Sequence, residues 1–502
     1  MTLFAFTAKS ALVSIISTML CAPALAFVKD ASQASATPNK EAQNLTQIIV
    51  KYRNERSNAA ETASISGNKT GLMQLQAQRI SALQSAAKNY GATFSVKRQI
   101  VTGGWVYKSS TRLKPSQMLA LAAKLKAADA TVEYAEPDYI LRPAYTPTDP
   151  LFSSQWDMQD STAQAGGLNL PAAWDISKGD KIVVAVVDTG YRPHPDLLPN
   201  LIPAQGGAAK QYGYNFISNP VTARLSLPDG VTTARGPDAI DSGDWVDSSD
   251  TDCPTQVQSS SWHGTHVAGT IAAAANGTGI TGVAPNAKIL PLRVLGKCGG
   301  ESSDIADAVA WAAGLHIDGL PDNVNKANVI NLSLGGTHPC SKTTAAAYQS
   351  AIANGAVIVV AAGNESVDAK LSSPANCPGV ITVASNSIAG GRASYSNYGA
   401  TVSVTAPGGG FTTSADRILS TLPTGKTVST DDTTYGLMAG TSQATPHVAG
   451  VIALMMAANP KLTSAQIRSI LIRTARPAPA NCPGCGAGIV DAAAAVKTAS
   501  GS

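Results

Sequence analysis

Two hydrophobic patterns divide the chain. Between residues 46 and 143 apolar positions alternate with polar ones or recur at helical spacing. Residues 47–52 (QIIVKY) and 104–107 (GWVY) predict strands, and 132–141 (VEYAEPDYIL) an extended run. Residues 71–89 predict a helix with Leu72, Leu75, Ile80 and Leu83 on one side, and 115–128 a second helix opening at Pro115. This is the outline of a small α+β domain, followed by a connection punctuated by Pro143, Pro147 and Pro150.

From about residue 180 the pattern changes. Short runs are apolar at nearly every position: 181–187 (KIVVAVV), 287–294, 327–332, 356–361 and 380–383. Ala-rich helical stretches lie at 263–275, 303–316, 342–353, 442–457 and 463–474. Strands apolar on both faces, separated by helices, predict an α/β fold with a parallel sheet covered on each side. In such sheets functional residues gather at the carboxyl ends of strands. That directs attention to Asp188-Thr-Gly190, Ser333-Leu-Gly-Gly336 and Ala361-Ala-Gly-Asn364. No internal repeat is visible.

The N-terminus adds a processing signal. Lys9, an apolar run over 11–21 and the small-residue end Ala22-Pro-Ala-Leu-Ala26 predict an export signal, residues 1–26, cleaved after Ala26. The run is shorter than the ~20 residues a membrane-spanning helix needs. Residues 27–45 are polar and predict a flexible leader. The expected organisation is therefore signal 1–26, leader 27–45, small domain 46–143 and large domain 144–502, in a protein destined for the extracellular space.

Cysteine usage agrees with export. After loss of Cys21 six remain, Cys253, Cys298, Cys340, Cys377, Cys482 and Cys485. An even count in an exported chain predicts disulfides, expected here as 253–298, 340–377 and 482–485. Zinc on Cys482-Pro-Gly-Cys485 would need a second Cys or His pair nearby, and the sequence offers none.

The net charge of +4 hides an asymmetry. Residues 27–143 carry 16 Lys+Arg and 8 Asp+Glu, whereas 144–502 carry 20 and 25. The basic part is not a run of like charges, so nucleic-acid binding is unsupported. A basic domain of +8 beside an acidic one of −5 instead suits an intramolecular partner.

The chemistry then concentrates in four residues. Asp188 and Asn364 end apolar strands, His263 opens a helix, and Ser442 starts another, in Gly440-Thr-Ser-Gln-Ala-Thr-Pro-His-Val-Ala-Gly450, where Pro446 is expected only near the first turn. Singly each has an ordinary explanation: a Ser before a helix caps it, an Asp after a strand turns the chain. Together they supply a hydroxyl nucleophile, a base, a carboxylate to orient that base, and an amide donor for an oxyanion.

Here the sequence resembles the subtilisin-like serine proteases, the subtilases. The resemblance rests on Val187-Asp-Thr-Gly190 with His194-Pro-Asp-Leu197, His263-Gly-Thr-His-Val-Ala-Gly-Thr270, Ser333-Leu-Gly-Gly336, Ala362-Gly-Asn364 and 440–450, in the family's order Asp, His, Ser, over roughly 150–495. It implies a subtilisin-like parallel sheet flanked by helices, preceded by an α+β pro-domain over 46–143 that chaperones and inhibits the enzyme, with self-cleavage near 141–150. Asp188, His263 and Ser442 would be the triad, and Asn364 the oxyanion donor. His266 would be a packed residue. Gly299, Gly300 and Glu301 with Ser333, Leu334 and Gly335 would hold an extended substrate, and Ala361, Ala362 and Gly363 would line the specificity pocket.

Calcium is the expected cofactor, with no organic one. The family's site is partly matched by Asp196 and Asn276, with carbonyls near Ala274, Thr278 and Ile280. Between Asp188 and His263 lie 74 residues, more than in compact subtilases. The excess includes an Asp-rich stretch whose Asp238, Asp241, Asp244 and Asp247 offer hard oxygen ligands. Expected partners are peptide and protein substrates and the chain's own pro-domain, for a monomer free of nucleic acid and, once the signal is removed, of membrane.

Three rival functions remain. An aspartic protease would use Asp188-Thr-Gly190 and Asp241-Ser-Gly243, but the second triplet has no flanking apolar strand. A zinc hydrolase would use His263 and His266, but their spacing is three rather than four and no acidic base lies between. A catalytically inactive binding relative would lack one of the four residues, and none is missing.

Overall fold

A computed structural model describes residues 45–53, 69–139, 145–226, 231–251, 253, 257–480 and 482–501. The export signal, the leader except Leu45, residues 54–68 and 140–143 of the expected pro-domain, and residue 144 lie outside the described residues.

The small N-terminal domain is a four-stranded antiparallel sheet with two helices. Its elements are β1 (Leu45–Tyr52), α1 (Lys69–Ala86), β2 (Phe94–Gln99), β3 (Trp105–Leu113), α2 (Pro115–Ala128) and β4 (Val132–Pro137), with sheet order β2-β3-β1-β4. Ile48, Val50, Leu83, Tyr107, Met118, Leu121 and Leu125 form its core. The α1 face differs from expectation. Gln76, Arg79, Leu83 and Ala87 are buried, whereas Leu75 is 41% exposed. Leu83 sits four residues from Arg79 and from Ala87, and that spacing, not the leucine pattern, sets the inward side.

The large domain is the expected α/β layer structure. Its strands and helices run β5 (Val183–Asp188), β6 (Tyr214–Asn215), β7 (Gly236–Pro237), α3 (His263–Ala272), β8 (Lys288–Arg293), α4 (Ser302–Ala312), β9 (Val329–Leu332), β10 (Gly336–Thr337), α5 (Lys342–Ala353), β11 (Val357–Ala361), β12 (Ser372–Ser373), β13 (Ile381–Asn386), β14 (Val404–Pro407), β15 (Ile418–Thr421), β16 (Tyr435–Met438), α6 (Thr441–Ala458), α7 (Ser464–Thr474) and α8 (Ala492–Ser500). The main sheet has eight strands in the order β14-β13-β11-β9-β5-β8-β6-β7. It is parallel except for the short β6–β7 pair.

Strand alternation gives the sheet two cores. On β5, Val184 and Val186 face the layer containing α3, α6 and α8, while Ala185 and Val187 face α4 and α5. The same split holds on β11, with Val357 and Val359 opposite Ile358 and Val360. Each strand is therefore apolar at successive positions because both of its faces are covered. α6 is buried along nearly its whole length. At roughly 25 cal/mol per Å² of apolar surface, such a central helix contributes more than any surface element.

Candidate active site

The site forms where β5, α3, β9, β11 and α6 meet. Asp188 ends β5 and is fully buried. The chain turns at Gly190, which has φ +109°, and a Cβ there would lie 2.2 Å from the Ala239 carbonyl oxygen. Gly264 packs onto that turn; its own Cβ would lie 2.3 Å from the Gly190 oxygen. Two glycines in contact thus bring the N-terminus of α3 against the end of β5. The Thr189 hydroxyl accepts from the Gly264 N–H at 3.0 Å and donates to Asp241 Oδ2 at 2.7 Å.

This approach sets His263 Nδ1 2.8 Å from Asp188 Oδ1 and 3.0 Å from Oδ2. The carboxylate also accepts from the Thr189 N–H at 2.7 Å. A carboxylate offers only acceptors, so Nδ1 carries the proton and Nε2 is left as the basic atom. The imidazole keeps 18% of its side-chain surface exposed, enough to meet a ligand. Burial pushes its pKa down, but Asp188, with Asp244 and Asp241 beyond it, raises it above the ordinary value.

His266 is different. It is fully buried, and its Nε2 lies 3.1 Å from the Ile418 carbonyl. Burial, with the His263 ring nearby, pushes its pKa down to about 3, so it stays neutral. Among the described residues no three His, Cys, Asp or Glu groups cluster as a metal site, so the zinc alternative finds no ligand set around this pair.

Ser442 is the second residue of α6. Its hydroxyl donates to the Ser333 carbonyl at 3.0 Å. Its N–H lies in the first helical turn, where no intrahelical acceptor exists. Asn364 follows β11. Its Oδ1 accepts from the Thr441 N–H at 2.8 Å and from the Thr441 hydroxyl at 2.9 Å. With the oxygen so engaged, Nδ2 remains as the donor on the cleft side.

His263, Asn364 and Ser442 line one cleft of 590 Å³, together with Gly299, Gly300, Ser333, Leu334, Gly335, Ala361 and Gly363. Two expected substrate contacts are not in its wall. Glu301 is the N-cap residue of α4, and Ala362 is buried beneath the cleft with Ala369, Ala384 and Val402. Ala361 and Gly363 on either side of Ala362 take the cleft side. The wall also holds Glu365, whose Oε2 accepts from the Asn364 N–H at 3.0 Å and Asn397 Nδ2 at 2.8 Å. Glu365 was not foreseen from the sequence; its place next to Asn364 was the available signal.

Cys253–Cys298, Cys340–Cys377 and Cys482–Cys485 are all bonded as expected, with Cα–Cα separations of 5.1, 5.2 and 5.6 Å. The first ties the Asp-rich excursion to the loop carrying Gly299 and Gly300. An ion pair of Asp250 with Lys297 reinforces the tie.

The four aspartates of that excursion do not come together. Asp238 accepts from the Ile240 N–H, Asp241 from the Gly243 N–H and Asp247 from the Ser249 N–H, each two residues on. These are side-chain turns that cap their own backbone. Asp244 instead holds the Ser261 N–H and hydroxyl at 2.6 and 2.7 Å. Asp241 is fully buried, and burial, partly offset by Arg293, pushes its pKa up to about 6. Among the described residues no three Asp, Glu, His or Cys groups cluster as a metal site. The calcium expectation for Asp238, Asp241, Asp244 and Asp247 is therefore corrected: their spacing encodes turns and a buried polar web.

Asp196 and Asn276 do meet. Asp196 is fully buried and accepts from Asn276 Nδ2 at 3.2 Å, the Ile280 N–H at 3.2 Å and the Tyr435 hydroxyl at 2.9 Å. Asp149, not foreseen, joins them. Its Oδ1 accepts from the N–H groups of Asn276 and Gly277, while its Oδ2 is buried without a hydrogen-bond partner. Burial, with the Asp196 charge nearby, raises the Asp149 pKa. An orphaned carboxylate oxygen beside a second carboxylate fits a hard cation.

Comparison with known proteins agrees with this architecture. Residues 179–493 match the Subtilase family. An extracellular protease of Xanthomonas campestris is 42% identical over 461 residues, covering 91% of this chain and 73% of that one. An extracellular basic protease of Dichelobacter nodosus is 41% identical over 400 residues, covering 78% and 62%. A solved protease of Pseudoalteromonas arctica is 50% identical with a TM-score of 0.65, covering 71% of this chain and all of its own. No helix among the described residues is long and apolar enough to cross a membrane. The matched region spans the main sheet and the cleft built on it, and the chain therefore belongs to the subtilase family and is a serine protease of that family.

Proposed function

We propose that the protein is an exported endopeptidase made as a self-processing precursor, with Ser442 as nucleophile, His263 as general base, Asp188 as its orienting carboxylate and Asn364 in the oxyanion hole. The observation that carries this reading is the 2.8 Å Asp188–His263 pair opening on the cleft that Ser442 and Asn364 also line. An extended substrate lies along 333–335, with Gly299 and Gly300 opposite. Ser442 Oγ attacks the scissile carbonyl carbon as His263 Nε2 takes its proton. Asp188 stays ionised and holds Nδ1–H. The oxyanion accepts from the Ser442 N–H and Asn364 Nδ2. His263 then protonates the leaving amine, and water releases the acyl group by the reverse sequence.

Export is supported by the signal pattern of residues 1–26, the three disulfides and the names of the relatives. The basic domain 46–143 serves as pro-domain, docked by charge and severed near 141–150. Asp196, Asn276 and Asp149 would hold calcium, whose charge would offset their two neighbouring carboxylates and so stabilise the fold around 149 and 276–280, without entering the chemistry. Casein hydrolysis abolished by a phosphonyl fluoride, with one label on Ser442, is the expected test result. Ser442→Ala should accumulate full-length precursor, and a purified Ser442→Ala protein that still processes itself refutes the self-cleavage.

A further inference from the structure

Pro446 lies inside α6, in its second turn. A helical proline has no N–H, so the carbonyl four residues earlier loses its helical partner, and the ring crowds that same carbonyl. The carbonyl is that of Ser442. Its donor comes from outside the helix: the Ser333 hydroxyl donates to Ser442 O at 2.8 Å. Ser333 Oγ in turn accepts from Asn331 Nδ2 at 3.0 Å, and the Ser333 carbonyl accepts from the Ser442 hydroxyl at 3.0 Å. Asn331 belongs to β9 and is fully buried; Ser333 follows it and is 3% exposed.

We propose that the Ser333 side chain is a positioning residue for the nucleophile, supplying the hydrogen bond that Pro446 denies and so clamping the Ser442 main chain to the strand end along which substrate lies. The proposal rests on Ser442 being the nucleophile. An uninterrupted helix would fix Ser442 relative to α6 alone. Here the proline releases that carbonyl, and a side chain anchored in the sheet captures it. Ser333 then indexes two things at once: its main chain faces the substrate, and its hydroxyl holds the attacking residue. A shift between them moves the nucleophile relative to the scissile bond, where small displacements cost rate heavily.

The test is a double-mutant cycle on the mature enzyme, using a peptide anilide. Ser333→Ala should lower kcat about tenfold with KM changed by less than about twofold, the loss of one net hydrogen bond made at the nucleophile. Ser333→Thr keeps the hydroxyl and should retain most of kcat. Pro446→Ala returns an N–H to the helix, so adding it to Ser333→Ala should recover kcat. A merely structural role would lower Tm without this rescue. Ser333→Cys is the nearest replacement in shape, slightly larger, and weakens the donor; it serves if Ser333→Ala does not accumulate, and should lower kcat more than it changes Tm. Wild-type kcat in Ser333→Ala or Ser333→Cys, or a folded double variant no faster than Ser333→Ala, overturns the proposal. Absence of hydrolysis and of Ser442 labelling in the unmodified enzyme would refute the nucleophile assignment instead.

Discussion

Replacing Gly264 by alanine tests how the catalytic pair is held. The added Cβ would lie 2.3 Å from the Gly190 oxygen and 3.0 Å from its nitrogen, whereas ordinary contact begins at 3.4 Å. Both sides are backbone, so the helix end and the turn must part by about 1 Å. Gly190 is two residues beyond Asp188, and Gly264 adjoins His263. The opening therefore falls on the 2.8 Å Asp188–His263 contact and stretches it to roughly 3.8 Å, past hydrogen-bond range. A misplacement of that size costs about 100-fold in rate. Helix propensity alone argues the other way, since Gly→Ala inside a helix gains about 1 kcal/mol. The assay is kcat/KM on a peptide anilide, normalised by phosphonyl fluoride titration, with thermal melting in parallel. A Gly264→Ala enzyme with unchanged kcat/KM and a raised Tm would show that the glycine contact does not set the pair.

Further outcomes are expected from the same geometry. Because the proposed base His263 must act unprotonated and its pKa lies above the ordinary 6.5, kcat/KM should climb with pH through a value higher than 6.5. Asp244→Asn removes one nearby negative charge and should move that limb to lower pH; an unmoved limb contradicts the assignment. His266, held to a pKa of about 3, stays neutral when folded but takes a proton below 6.5 when unfolded, so its stabilising contribution is present above 6.5 and lost as pH falls toward 3. The loss is roughly 2 kcal/mol by pH 5, and denaturant titrations should show His266→Gln relieved of it. A calcium chelator should lower Tm, and Asp196→Asn should abolish that response while Asp247→Asn leaves it intact. Asn364→Ala should cut kcat roughly 100- to 1000-fold with little change in KM, the range measured on subtilisin itself rather than worked out from this chain.

What could be read in the sequence follows from how each signal is encoded. β5, β9 and β11 were legible because burial on both faces demands a continuous apolar run. β2 (FSVKRQ) was not, since charged residues on its outer face break the run. β14 (VTAP) carries Thr405 and Pro407, which break the apolar run, and α8 hides in an alanine tract whose start is marked only by Asp491 capping the Ala494 N–H. The triad candidates were legible as strand-end and helix-start residues. Asp149 was not: it lies 47 residues from Asp196 in sequence, and only folding sets the two against the same loop. The Asp-rich stretch misled because carboxylate density signals ligands only when the groups converge. Its spacing of three signals instead a succession of capped turns.

The disulfide between Cys253 and Cys298 has a consequence for where the enzyme can work. One of its ends sits in the long excursion after β7. The other adjoins Gly299 and Gly300 in the cleft wall. Asp188, His263 and Ser442 stand on the sheet and its helices, whereas the Gly299–Gly300 side of the cleft is tied to the excursion through that bond. In a reducing compartment the proposed substrate-binding wall at Gly299 and Gly300 would lose that covalent tie. Redox environment would thus grade its appetite for long substrates before it touched the chemistry, a safeguard for the cell that makes it.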